Sequence, residues 1–162
     1  MNRLRKIPGV EVIPIHLYKN PCAQVYSWEK GNKFKTTVYS ILRYWAKHQA
    51  LLFATPRFER RVTVAYEDLC RDPWSQVQRI AKVLDIEYQQ EWMSRWGQEP
   101  MHVLGGNHLM KSDSSSTIRL DEKWRERLSA REIRLIDTLG APVLRELKAQ
   151  SSRGSVPARS GA

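Results

Sequence analysis

Strands that alternate with helices predict an α/β fold, with parallel strands flanked by helices. Three observations carry that expectation. Val10 to Tyr18 is apolar and rich in β-branched residues (Val10, Val12, Ile13, Ile15), as in a buried strand. Arg61 to Tyr66 alternates Val62 and Val64 with Thr63 and Ala65, a second strand signal. Helical patterns follow each of them.

Within the first strand, Pro14 opposes a central position because it has no N–H for a ladder. Asn20-Pro21 then reads as an N-cap followed by proline at the first helical position. Val38, Ile41, Leu42, Trp45, Leu52 and Phe53 recur at helical spacing, which predicts a longer helix with that face in the core. Asp72-Pro73 repeats the cap-then-proline start, and Val77, Ile80, Ala81 and Leu84 supply an apolar face. Tyr88, Trp92 and Trp96 recur every four residues, with Gly97 as a helix stop. Met101 to Thr117 is a loop by composition. Ser129 and Glu132 form a capping box for a last helix carrying Ile133, Ile136, Leu144 and Leu147, which Pro142 kinks or divides. Serine, glycine, proline and arginine dominate from Ser151 onward, so the expected organisation is one domain over 1–149 and a disordered basic tail over 150–162.

The 162 residues are 41% hydrophobic and 27% charged, an ordinary globular balance for one core. No run of about 18 apolar residues occurs, which excludes an obvious membrane span. No signal-peptide core follows the basic start, so a cytoplasmic location is expected. The net charge of +10 favours anionic partners: nucleic acid, acidic lipid or a ligand with several phosphates. Cys22 and Cys70 lack CxxC or zinc-finger spacing and read as reduced and structural. The four histidines are scattered, and no metal is expected.

Three stretches carry chemistry. In Ile15 to Pro21 a strand delivers Lys19 to a helix start, whose N–H groups and dipole favour an anion, with Ser27 eight positions on. A solvated lysine and a helix serine fit the same residues. Tyr66-Glu67-Asp68-Leu69 places Tyr66 at the carboxyl end of a strand, where open α/β sheets bind ligands. There it offers a ring edge and a hydroxyl to a base, or else closes the core. Gly105-Gly106-Asn107, followed by Lys111, permits close backbone approach to a phosphate, or is an ordinary surface loop.

Taken in order, these stretches resemble the family of sulfotransferases that use 3′-phosphoadenosine-5′-phosphosulfate (PAPS), especially its bacterial and carbohydrate-type members. The likeness rests on Lys19, Asn20, Pro21 and Ser27, then Tyr66 to Leu69 and Pro73. The Gly105–Asn107 loop and Asp121-Glu122-Lys123-Trp124 complete it, so it runs from about Val10 to Leu147. The resemblance implies part of a P-loop-like three-layer fold and PAPS as co-substrate, with no metal. It implies that Lys19 and Ser27 hold the 3′-phosphate and that Tyr66 meets the adenine. Gly105, Gly106, Asn107 and Lys111 would close over the nucleotide. The family usually has arginine where Lys19 stands, and lysine keeps the charge without the bidentate fork.

The family's loop for the 5′-phosphosulfate precedes the strand that starts here near Val10, and no G-x-x-x-x-G-K-[ST] or PKSGTT-like segment occurs in the sequence. The catalytic base also belongs to that part, and His16 reads as packed rather than catalytic. No catalytic residue is assigned. The expectation is a fragment that transfers no sulfate alone, with an unknown acceptor, and that oligomerises or takes a partner carrying the N-terminal half. The rival readings are a non-enzymatic nucleotide-binding remnant, a piece of a split enzyme, and a basic nucleic-acid-binding protein. For the last, Trp28, Trp45, Trp92, Trp96 and Trp124 would be stacking platforms; Trp45, Trp92 and Trp96 fall on faces expected to be core.

Overall fold

A computed structural model of the chain describes residues 7–30, 37–91 and 119–152. Two short strands, β1 (Ile15–Tyr18) and β2 (Val62–Ala65), pair in parallel with Ile15 opposite Val62 and Tyr18 opposite Ala65. Parallel strands need a crossover, and here it is made by α1 (Pro21–Lys30), α2 (Thr37–Ala54) and a 3-10 turn, Thr55–Arg57. After β2 come α3 (Tyr66–Arg71) and α4 (Pro73–Leu84), then a short α5 (Trp124–Arg127) and a long α6 (Ala130–Ser152). The result is a mixed α/β chain, mostly helical, around a two-stranded parallel sheet. No described helix is long and apolar enough to cross a membrane.

The local signals for helix starts act as expected. Asn20 Oδ1 accepts from the Cys22 and Ala23 N–H groups at 2.9 and 3.4 Å, and Asp72 Oδ1 from Ser75 N–H at 3.1 Å. Ser129 and Glu132 close their box in both directions, with Ser129 N–H donating to Glu132 Oε2 at 2.8 Å and Glu132 N–H to Ser129 Oγ at 3.3 Å. Each such cap satisfies amides that the first helical turn leaves unpaired.

The first strand is shorter than the sequence suggests. Only Ile15–Tyr18 pairs, and the chain before it contributes the Pro14 carbonyl, which accepts from Val62 N–H at 3.1 Å. It is also buried on one side alone, because Ile15 and Leu17 stay half exposed. Pro142 does not divide the last helix, which runs unbroken from Ala130 to Ser152. The helix thus includes 150–152, which were expected in the tail, and Ser151 Oγ donates to the Thr63 carbonyl at 3.1 Å.

The clearest departure lies in α2. Its core side is Ser40, Ile41, Tyr44, His48 and Leu52, while Val38, Leu42, Trp45 and Phe53 face outward. Both sets recur at helical spacing, so periodicity could not choose between them. The choice falls to the polar-tipped pair Tyr44 and His48, which find hydrogen-bond partners inside.

Among the described residues the core has three parts. Cys22, Val25, Ile41, Trp124 and Ile136 join α1, α2, α5 and α6. Tyr18, Ala65, Tyr44, Leu52, Val143 and Leu147 cover one face of the sheet with α2 and α6. Val62 and Val64 on the other face meet Val83, with Ile80 beside them, from α4. Helices therefore lie on both sides of β2.

Gly140 of α6 lies close against Pro21 at the start of α1. A Cβ there would sit 2.9 Å from Pro21 Cγ and 3.0 Å from Pro21 Cβ, atoms of a rigid ring. Alanine favours a helix over glycine by roughly 0.5–1 kcal/mol, but overpacking costs about 1–3 kcal/mol. Gly140→Ala is expected to lower the midpoint of chemical unfolding, and an unchanged or higher midpoint would show that α1 can move aside.

Candidate functional site

The carboxyl ends of β1 and β2 lie side by side because Tyr18 pairs with Ala65, and the residues just beyond them converge. Asn20 N–H donates to Glu67 Oε1 at 2.8 Å, clasping the turn after one strand to the turn after the other. The same asparagine caps α1 with its side chain, so one residue fixes both the helix and the strand ends. From below, the buried Tyr44 hydroxyl donates to the Lys19 carbonyl at 3.1 Å. Burial and the nearby Glu67 raise the Tyr44 pKa, so the phenol stays protonated as a donor.

Above this clasp, Lys19 Nζ sits 4.6 Å from the centre of the Tyr66 ring. That is a cation–π contact, worth roughly 0.5–1 kcal/mol at an exposed site. Among the described residues Lys19 makes no ion pair with a carboxylate. Tyr66 opens α3 and is half-buried, with its phenol pushed up to about 12 by burial first and then by Cys70 and Asp121. It therefore keeps a neutral hydroxyl at ordinary pH, with the Cys70 side chain as a hydrogen-bond partner.

Lys19 and Tyr66 are brought together, one strand end each. Ser27 lies on α1 and is exposed. Gly105, Gly106, Asn107 and Lys111 lie outside the described residues, as do Trp92, Trp96 and Gly97. The expectation that the start of α1 offers free amides needs correction. Pro21 has none, Cys22 and Ala23 donate to the Asn20 side chain, and Gln24 donates to the Asn20 carbonyl at 2.9 Å. An anion there would rely on side chains and on the helix dipole alone.

Beside the clasp opens a cleft of about 370 Å³, whose lining includes Asn20, Glu67, Arg71, Asp121, Arg125 and Lys148. Lys19, Ser27 and Tyr66 do not line it. With Asp68 and Glu122 it carries four carboxylates against three cations, and two pairs are internally matched: Arg125–Glu122 at 2.9 Å and Arg71–Asp68 at 3.7 Å. A deep polyanion site is a poor fit to that balance. Lys19, which makes no ion pair with a carboxylate among the described residues, stands outside the cleft.

Sequence reasoning missed two arrangements here. Glu67 receives no role of its own in the sequence reading, although an acid just after a strand and an asparagine cap after its neighbour are the two halves of the clasp. Arg71, Arg125 and Lys148 meet only through the packing of α3, α5 and α6, and no spacing signals that. Cys22 and Cys70 are free, and Cys22 is buried against Asp137, which together push its thiol up to about 12. Trp45, expected in the core, is 45% exposed, whereas Trp124 is buried.

Compared with protein-family models, curated proteins and solved structures, the chain matches none.

Proposed function

We propose that the chain holds the nucleotide of PAPS, and of its product 3′-phosphoadenosine-5′-phosphate, at the carboxyl ends of β1 and β2. In this reading it forms part of a sulfotransferase with a P-loop-like three-layer fold. The observation that carries the proposal is Lys19 lying over Tyr66, a cation with no ion pair to a carboxylate among the described residues, beside a neutral phenol, where adjacent parallel strands end. The ordered resemblance of Lys19 to Ser27 and Tyr66 to Leu69 supports it.

The chemistry divides accordingly. Lys19 supplies charge to the 3′-phosphate, moving off the Tyr66 ring to do so, and Ser27 adds a hydroxyl from α1. The departure of Lys19 uncovers Tyr66, whose hydroxyl and ring edge then meet the adenine. Sulfuryl transfer also needs donors around the 5′-phosphosulfate and a base for the acceptor. The sequence has no loop of that type, so the proposed role is confined to holding the leaving nucleotide. The acid-rich cleft beside Glu67 stays clear of the phosphates.

Calorimetric titration with 3′-phosphoadenosine-5′-phosphate tests this reading in three forms of the protein. Lys19→Ala should weaken binding by about 1.5–3 kcal/mol, the usual cost of a lost charged hydrogen bond. Lys19→Arg should bind at least as well as the wild type, since the charge remains and a fork is gained. Equal affinities for the wild type and Lys19→Ala would remove Lys19 from the site.

A further inference from the structure

We infer that the outer face of α2 docks on a bilayer surface rich in anionic phospholipid, with its apolar stripe below the headgroups and its cations among the phosphates. This inference does not depend on the nucleotide reading. Inward, α2 packs on α1 and α6 through Ile41, Tyr44 and Leu52. Outward, Val38, Leu42, Trp45 and Phe53 fall at i, i+4, i+7 and i+15, the spacing of one continuous stripe. At a rise of about 1.5 Å per residue the stripe is roughly 22 Å long. Phe53 is 71% and Leu42 61% exposed, the two most exposed large apolar side chains among the described residues. A single exposed leucine is ordinary, but a row that includes an indole and a phenyl ring marks an interaction surface.

Charge decides what that surface meets. From Lys30 to Phe58 the sequence has six lysines and arginines and no aspartate or glutamate, so this stretch supplies +6 of the net +10. Lys47 is exposed on the helix, and the Arg57 guanidinium lies 4.5 Å from the centre of the Phe53 ring just past its end. A basic helix that turns Trp, Phe and Leu outward has the pattern of an interfacial helix, which joins apolar insertion to attraction for acidic headgroups. Long lysine and arginine stems let the charges stay at headgroup level while the rings go deeper. Nucleic acid would match the charge but not Val38 and Leu42, which offer no plane for a base to stack on. A folded protein partner would have to dehydrate the flanking cations or supply an acid for each, whereas a headgroup layer keeps them wet and meets them with phosphate. Tyr44 and His48 remain inward, so docking needs no change of fold.

Flotation of the full chain with lipid vesicles in about 0.1 M salt tests this. Vesicles of equal parts phosphatidylglycerol and phosphatidylcholine should bind at least about tenfold more tightly than phosphatidylcholine alone. The double variant Leu42→Gln, Phe53→Gln should weaken binding to the anionic vesicles at least about tenfold. Lys47→Gln with Arg57→Gln should weaken it by a similar factor. All four positions are exposed, so the midpoint of urea unfolding should not move. The charge variant leaves the apolar stripe whole and carries the test if the other unfolds. Equal binding to the two kinds of vesicle, or a folded variant that binds like the wild type, would overturn the inference: the first removes the anionic headgroup, the second this face. Vesicles that bind no protein would overturn it too, including the case in which a single-stranded oligonucleotide binds and the same variants release it, which marks a nucleic-acid face.

Discussion

Lowering the pH from 7 to 5 is expected to destabilise the chain by several kcal/mol through two buried histidines. His16 on β1 and His48 on α2 are 4% and 1% exposed, stack at 5.2 Å, and share a hydrogen bond of 3.0 Å between Nε2 and Nδ1. Tyr44 packs against His48 at 4.4 Å, and Lys47 lies close enough to disfavour further charge. Burial first, then Lys47, lowers His16 to about 4. Burial, then His16 and Lys47, lowers His48 to about 3. The sign follows from which state takes up protons. Below the ordinary value of about 6.5 the unfolded chain charges both rings while the folded chain refuses. Stability is complete above that value, falls as pH drops through it, and stops falling once the folded rings also charge near 4 and 3. Two protons give at most about 2.7 kcal/mol per pH unit. The true slope is smaller because the rings titrate as a pair. Urea unfolding at pH 7, 6 and 5 should show the loss, and the double variant His16→Gln, His48→Gln should be nearly flat over that window. Equal slopes for the two proteins would place the acid sensitivity elsewhere.

Leu147→Ala should cost about 2–5 kcal/mol, a large share of the 5–15 kcal/mol that holds a typical domain. Leu147 is fully buried and packs in the cluster that ties α6 and α2 to Tyr18 and Ala65, the last residues of the two strands. The leucine lies more than four turns beyond the capping box, and this end of the helix is held mainly by that burial. Its truncation should therefore lower the melting temperature sharply and also loosen the strand ends. Leu139→Ala on the same helix, where the side chain is 42% exposed, is the control and should change stability by less than about 0.5 kcal/mol. Similar losses in the two variants would mean that α6 does not pack as described.

The contrast between these two leucines also explains what could be read from the sequence. Local chemistry was legible. Asn20-Pro21, Asp72-Pro73 and the Ser129–Glu132 box announce their helices because each cap needs only its own four residues. The two strands and their parallel pairing follow from β-branched runs separated by helices, although Pro14 and the open edge shorten the first of them. The choice of face on α2 held only in part: Ile41 and Leu52 are inside as expected, but Val38, Leu42, Trp45 and Phe53 are not. Two stripes on α2 have the same period, and the one that contains a histidine and a tyrosine is inside because His16 and the Lys19 carbonyl wait there. His16 was read as packed, but nothing local names His48 as its partner 32 residues away. At the site, Lys19 and Tyr66 were found separately by their position after strands. Their contact and the Asn20–Glu67 clasp come from the register of the sheet.

The most direct test of the nucleotide site compares two ligands that differ only in the 3′-phosphate. Wild-type protein should bind 3′-phosphoadenosine-5′-phosphate at least about tenfold more tightly than adenosine 5′-monophosphate, the factor that corresponds to about 1.4 kcal/mol. Lys19→Ala should lose most of that preference while keeping its fold, since the lysine is only half-buried and its charged end lies over the Tyr66 ring. Equal affinity of the wild-type protein for the two nucleotides, or a preference that survives in Lys19→Ala, would contradict a 3′-phosphate site at the end of β1.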